Sequence, residues 1–399
     1  MKWKNKGKEY DEYVNRIWKK DRMYIYGIGG NAEETTRILA HFRNELPWDI
    51  ILVDKDIKKQ NHLIQGFRII SPKIFLDEFS KNDYVVICPF NNPRKEITEL
   101  CISNGISLDD IVYGEEFIWK KFPVIYTYKT GKVFFYSVNM LPSSICNLNC
   151  RDCLNFTPYI KNHKKYTLEE LKNDVDLFFG AVDEVYRFQI TGGEPLLYPH
   201  LQELLEYIDS IYRNKILELE MVTNGTILPS PEFCEFLSKK NIKVYLDDYR
   251  MSLPNSTERY NQVLQMFEQH NVRFINNHVD KWFQMYNGTD YHRTDEQNAQ
   301  RFDDCGEPFT TLREGKIGLC NYAQYADYAG ICKADDKELF DLKNYQDTKN
   351  RELIEFKSGY SEKGYTNFCN YCNGWYCDGS KNKSNLIEVK PAIQAERNL

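Results

Sequence analysis

The sequence predicts an α/β protein in three segments. An open sheet comes first, a second run of strand–helix units fits a full or partial barrel, and a small cysteine-rich segment follows. Three observations predict this. Apolar strand-like runs alternate with helical stretches over residues 22 to 128. The alternation resumes over residues 133 to 300. Finally, nine of the twelve cysteines fall into two groups: Cys146, Cys150 and Cys153, then Cys305, Cys320, Cys332, Cys369, Cys372 and Cys377. The expected segments are therefore residues 1–128, 129–300 and 301–399.

In the first segment, "MYIYGIGG" is an apolar strand running into a glycine-rich turn. "NAEETTRILAHF" follows as a helix, with Asn31 as a cap and Glu33 and Glu34 in its first turn. "WDIILVDKD" is a second strand ending in Asp54, and "DYVVICPF" is a third. The helical "PRKEITELCISNG" and the strand "DDIVYG" close the set. Strands alternating with helices imply a parallel sheet.

The second segment opens on the strand "KVFFYSVNML", which precedes the first cysteine group. "TLEELKNDVDLFF" begins with a capping box, Thr167 and Glu170. "RFQIT" runs into "GGEP", and "HLQELLEYIDSIY" is an amphipathic helix. "ILELEMVTNG" alternates as a strand. "SPEFCEFLSKKN" has Ser230 as cap and Pro231 at the first helical position. "IKVYLDDYR" and "VRFINN" are strands around the helical "TERYNQVLQMFEQH". In barrels of such units, function sits at the C-terminal ends of the strands. The third segment is loop-rich, and the stretch after "CDGSKNKSN" is expected to be polar and mobile.

Composition narrows the classes. Hydrophobic residues make up 42% and charged residues 28%, with a formal net charge of −6. This fits a globular protein and lacks the basic stripe of a nucleic-acid binder. The opening residues have no signal-peptide pattern, and no apolar stretch is long enough to cross a bilayer. A cytoplasmic location follows as an expectation, with no membrane or nucleic-acid partner. Reduced cysteines there point to metal ligation or redox chemistry. Cys88, Cys101 and Cys234 lie singly and read as small buried hydrophobes.

Gly27, Gly29 and Ala32 form a G-x-G-x-x-A turn, with Asp54 at the end of the next strand. In a nucleotide site the glycines admit phosphates and the acid holds a ribose hydroxyl. A tight turn without a ligand is the equal alternative. The segment resembles the Rossmann-like domains attached to enzymes of sugar-nucleotide and surface-polysaccharide synthesis.

Cys146, Cys150 and Cys153 sit on a loop after a strand. Three thiolates leave one metal position open, and on a four-iron cluster that iron can take a ligand directly. The spacing matches the CxxxCxxC motif of the radical S-adenosylmethionine (radical SAM) superfamily. "TGGEP", Thr191 to Pro195, follows one strand later, and "VTNG", Val222 to Gly225, one strand after that. The resemblance implies a partial (β/α)6 barrel holding a 4Fe-4S cluster and SAM. SAM would chelate the free iron. Gly192, Gly193 and Glu194 would receive its ammonium, and Thr223 and Asn224 would face its ribose or carboxylate. Reductive cleavage, with electrons from a donor such as flavodoxin or ferredoxin, would give a 5′-deoxyadenosyl radical that takes a hydrogen atom from the substrate. One position departs from the family: an aromatic residue usually precedes the third cysteine, and here it is Asp152. The adenine contact is then expected from Leu154 or Phe156.

"CGEPFTTLREGKIGLC" reads as a hairpin with Cys305 and Cys320 at its ends, and "CNYC" adds Cys369 and Cys372. The pattern resembles the Twitch domain, a shortened SPASM domain, and implies one auxiliary 4Fe-4S cluster on these four thiols. Four thiolates suit zinc as well. Cys332 and Cys377 are left over, as loose ligands, hydrogen-atom donors or bystanders. "YLDDYR" places Asp247, Asp248 and Arg250 at a strand end, as catalytic candidates near the substrate.

Twitch-type relatives imply action on a sugar, aminocyclitol or nucleotide-linked sugar. Dehydrogenation of an alcohol or epimerisation would serve polysaccharide or secondary-metabolite biosynthesis. Maturation of a ribosomally made peptide, by crosslinking or epimerisation, is the alternative. An α/β first segment in place of a winged helix counts against it. A zinc-stabilised binding module is the non-catalytic reading.

Overall fold

A computed structural model describes residues 1–60, 62–305, 310–374 and 387–395. Cys377 lies outside them. The chain forms two compact units, Lys8–Lys132 and Met1–Gly7 with Val133–Leu399.

The unit Lys8–Lys132 is a six-stranded sheet. Its strands are β1 (Arg22–Tyr26), β2 (Asp49–Val53), β3 (Leu63–Ile64), β4 (Phe67–Ile70), β5 (Asp83–Ile87) and β6 (Ile111–Tyr113), in the order β3-β4-β2-β1-β5-β6. All neighbours are parallel except β3 and β4. β1, β2 and β5 are almost wholly buried, which is why they read as continuous apolar runs. Asn31 caps the helix Ala32–His41 by position, with no side-chain hydrogen bond. The chain winds from β1 to β2 on one side and to β5 on the other, so the topology reverses between β1 and β5.

The second unit carries an eight-stranded sheet. Strands β7 (Phe134–Met140), β8 (Glu184–Ile190), β9 (Ile216–Thr223), β10 (Lys243–Asp248) and β11 (Phe274–His278) are parallel neighbours. Helices Leu168–Ala181, Leu201–Tyr212, Pro231–Lys239 and Thr257–Gln269 follow successive strands. Thr167 and Glu170 close the expected capping box, and Ser230 caps the third of these helices. After β12 (Trp282–Phe283) come β13 (Thr311–Arg313), β14 (Lys316–Gly318), β15 (Leu339–Asp341) and β16 (Glu388–Val389). The sheet order is β11-β10-β9-β8-β7-β13-β14-β15. The sheet is open, a partial barrel. Its sixth parallel strand, β13, pairs with β7 instead of following β11. Residues 1–7 join this unit: Trp3 N–H donates to Ser361 O at 3.0 Å, and its indole N–H to buried Glu355 at 2.8 Å.

The barrel interior is charged. Glu218 and Glu220, one face of β9, are fully buried. Lys243 pairs with both, Arg187 approaches Glu220 at 3.3 Å, and Arg273 pairs with Glu218. Mutual pairing offsets the desolvation that would otherwise exclude these charges.

Candidate active site

The loop after β7 is built onto the "GGEP" turn. Gly193 N–H donates to Ser143 O at 3.0 Å, and Glu194 N–H to Ile145 O at 2.8 Å. A Cβ on Gly193 would stand 2.1 Å from Ile145 O. Gly192 has φ +138°, and a Cβ there would meet Ser143 O at 2.6 Å. The two glycines therefore let one turn seat against the residues that lead into Cys146. Glu194 is buried and gives both carboxylate oxygens to the end of β9. It accepts from the Thr223 hydroxyl at 2.9 Å and from Asn224 N–H at 2.9 Å. Burial pushes its carboxyl up to about 7. The Asn224 amide reaches Asn147 Oδ1 at 3.1 Å and Cys146 Sγ at 3.8 Å. Gly192, Gly193, Glu194, Thr223 and Asn224 thus form one connected rim beside the first cysteine.

Cys146, Cys150 and Cys153 line a cavity of about 400 Å³ with that rim. Burial, then mutual proximity among other causes, pushes the Cys146 and Cys150 thiols up to about 12. A metal must displace their protons to be held. No three His, Cys, Asp or Glu side chains among the described residues close on a single-ion site. Three thiols spread around one cavity, with no fourth cysteine lining it, are a donor set that fits a four-iron cluster with one open iron.

The rest of the cavity lining is largely polar. Asn139, Arg187, Gln189, Tyr245, Asp247, Asn277 and Asn321 contribute to it. Asn139 is 5% exposed, and its Oδ1 has no hydrogen-bond partner. Asp247 accepts from Tyr249 OH at 2.9 Å and Asn277 Nδ2 at 2.6 Å. Burial raises its carboxyl above the usual range.

Of the three catalytic candidates, only Asp247 lines the cavity. Asp248 and Arg250 are outside its lining and pair with each other. Alternation along β10 turns Asp248 to the other face. There Arg250 meets it bidentately at 2.9 and 2.8 Å and lies over the Tyr260 ring. The Arg250 guanidinium brings Asp248 down to about 2. Leu154 lines the cavity, whereas Phe156 is buried against Tyr286 and Phe368, away from it. Asn139, Arg187, Gln189, Tyr245, Tyr249, Asn277 and Asn321 were not singled out from sequence. For Arg187 and Gln189 a signal existed: both stand on one face of β8, in "VYRFQI", between apolar residues of the other.

Five cysteines of the second group are among the described residues, four of them linked by proximity and Cys320 packed on the same core as two of these. Cys320, Cys332 and Cys372 pack against one core with Met285, Tyr322, Tyr325 and Phe368. Cys305 and Cys369 lie close enough to Cys372 to raise its thiol further, after burial. Cys332 feels Cys369 in the same way. Cys332, left over in the sequence, belongs with this group. It does not line the catalytic cavity.

In the unit Lys8–Lys132, Gly27, Gly29 and Asp54 line a separate cavity of about 540 Å³. Lys55, Lys59, Ile97 and Leu100 share its wall. The cavity lies at the C-terminal ends of β1, β2 and β5, where the topology reverses. Asp54 accepts Ile28 N–H at 3.1 Å and pairs with Lys59 at 3.0 Å. Burial opposes ionisation there, yet the N–H groups of Asp56 and Ile28 and the Lys59 ammonium hold the carboxyl below its usual range.

Residues 140–278 match the Radical SAM superfamily model. The chain carries a radical SAM domain, whose family cofactors are a 4Fe-4S cluster and SAM. An uncharacterised protein of Methanocaldococcus jannaschii is 31% identical over 25% of this chain and 33% of its own length. The GTP 3',8-cyclase of Alkaliphilus oremlandii is 34% identical over 25% of this chain and 30% of its own. These matches span about a third of the curated relatives. Among solved structures, native anSMEcpe with bound AdoMet is 16% identical at a TM-score of 0.38, covering 57% of this chain and 81% of that one. BtrN in complex with AdoMet and 2-DOIA is 14% identical at 0.37, covering 64% and 100%.

Proposed function

We propose that the chain removes a hydrogen atom from a carbinol carbon of a sugar, aminocyclitol or nucleotide-linked sugar, a two-electron oxidation to a ketone. The observation that supports it is the run of polar side chains that line the same cavity as the three cysteines. Asn139, Gln189, Asn277 and Asn321 put amide donors and acceptors into the same lining as the half-buried acid Asp247. When bound, the cluster and SAM supply a one-electron cleavage and a hydrogen-atom acceptor. The protein's own part is binding, orientation and proton transfer. Unpartnered Asn139 Oδ1 accepts from a substrate hydroxyl, a bond that a polar ligand supplies and an apolar one does not. Asp247 takes the hydroxyl proton, and its raised carboxyl suits a group that both accepts and releases one. The second electron goes to an acceptor, and the five-thiol group would hold it. Epimerisation through Cys332 is disfavoured because that thiol does not face the cavity.

The cavity in the unit Lys8–Lys132 supports a nucleotide on the ligand. Its glycine turn and the acid at the end of β2 have the placement that phosphate and ribose require.

The test is Asp247→Asn, assayed with a panel of sugars, aminocyclitols and nucleotide sugars. Ketone formation on the accepted substrate should fall about a hundredfold, while SAM cleavage without substrate continues. Turnover of peptides only, or full activity of Asp247→Asn, would contradict this reading.

A further inference from the structure

Residues 387–395 were expected to be mobile, yet they are packed onto the cysteine loop. β16 pairs antiparallel with β12, and Lys281 meets Glu388 at 2.7 Å. Beyond β16, Ala392 is fully buried. The next residues form an antiparallel bridge with Cys150. Arg151 N–H donates to Ile393 O at 2.7 Å, and Ala395 N–H to Asn149 O at 2.7 Å. The Gln394 amide works at both ends. Its Oε1 accepts Asn149 N–H at 2.7 Å, and its Nε2 donates to Cys150 Sγ at 3.4 Å.

A second anchor lies two residues along. The Asp152 side chain is only 4% exposed. Gln284 Nε2 donates to its Oδ1 at 2.7 Å, and Gln284 N–H donates to Ile387 O at 2.9 Å. Asp152 therefore ties the cysteine loop to the strand pair that carries the 387–395 segment. This explains an acid where the superfamily resemblance leads one to expect an aromatic ring.

We infer that residues 387–395 are a fixed strap of the cysteine site, with Gln394 as a positioning residue. It holds the loop through Asn149 and sets the electron affinity of the group bound at Cys150. The mechanical half stands on the hydrogen bonds between residues 387–395 and the cysteine loop. The electronic half rests on the three thiols holding an iron–sulfur cluster. An N–H aimed at a ligating sulfur stabilises the more negative, reduced state and raises the potential.

Two variants of the full chain separate the halves. In metal-free Gln394→Ala, hydrogen exchange at the Asn149 amide should quicken about fivefold, the size of one net hydrogen bond. Protection in β7 to β11 should be unchanged, which shows that the variant folds. Reconstituted Gln394→Ala should have a more negative cluster potential in an EPR-monitored titration. Gln394→Glu keeps the acceptor for Asn149 but lacks the N–H. It should exchange like wild type and still show the lowered potential. Unchanged exchange in Gln394→Ala overturns the strap, and an unchanged potential in both variants overturns the tuning. A wild-type chain that takes up no iron on the three cysteines overturns the cluster reading instead, and the exchange result still decides the strap.

Discussion

Gly27, Gly29 and Gly30 share one turn and meet three different environments. Gly27 has φ +83°, and a Cβ there would stand 2.2 Å from Pro89. Gly30 has φ +58° and would meet Cys88 O at 2.3 Å. These two are required by the fold. Gly29 needs no unusual backbone, and nothing lies within 4 Å of its missing side chain. Its openness faces the cavity, so Gly29→Val should fold normally and block the ligand. Calorimetry with nucleotides and nucleotide sugars should show binding to the wild-type chain and at least tenfold weaker binding to this variant. No binding by the wild type would leave a plain strand-to-helix turn. Asp248, bound bidentately by Arg250 outside the cavity lining, carries a stability prediction instead. Its folded carboxyl titrates at about 2, below the ordinary 3.8. A depressed acid stabilises the fold above its unfolded value and loses that contribution as pH falls through the folded one. Asp248→Asn should therefore cost about 2 kcal/mol in urea unfolding at pH 7. The difference from wild type should shrink as pH drops from 4 toward 2, and SAM cleavage should persist.

The hairpin β13–β14 shows how one buried side chain decides an element. Glu314 and Gly315 both have positive φ, 55° and 74°, the two-residue turn that matches strand twist. Their N–H groups donate to the carboxylate of buried Asp174, at 2.8 and 2.6 Å. Asp174→Ala orphans both donors, and thermal unfolding should show a loss of roughly 2–3 kcal/mol. A loss below about 0.5 kcal/mol would mean that water replaces the carboxylate. The hairpin itself was legible from "REGK" between apolar runs. Its pairing with β7 was not, because nothing local in three residues encodes a partner more than 160 positions away. The long strands were legible for a physical reason: burial on both faces writes a continuous apolar run, and burial on one face writes alternation. The hairpin β3–β4 and the helix Pro72–Glu78 escaped notice because they are short. The strap escaped because its regular structure is a two-residue strand and a single bridge, too short to write a period in the sequence. It is held by backbone hydrogen bonds and one glutamine, which leave no hydrophobic pattern.

On the scale of the whole molecule, the candidate site collects residues from five barrel strands, the two motif turns, the cysteine loop and the helix Asn321–Tyr328. The cysteine spacing and the "GGEP" and "VTNG" turns marked its rim from sequence alone. Arg187 and Gln189 left a signal in the alternation of β8, but the asparagines did not, since a lone asparagine on a strand looks the same inside a barrel or out. What unites these residues is a single cavity lined by three thiols and the acid Asp247. If these three thiols hold the cluster, SAM cleavage depends on them. The direct measurement compares the anaerobically reconstituted chain with a variant in which Cys146, Cys150 and Cys153 are all Ala. Under reductant with SAM, the wild type should form 5′-deoxyadenosine. The variant should hold about four fewer irons per chain and form none. Continued 5′-deoxyadenosine formation by the variant, or a wild type that binds zinc and no iron, would contradict the claim.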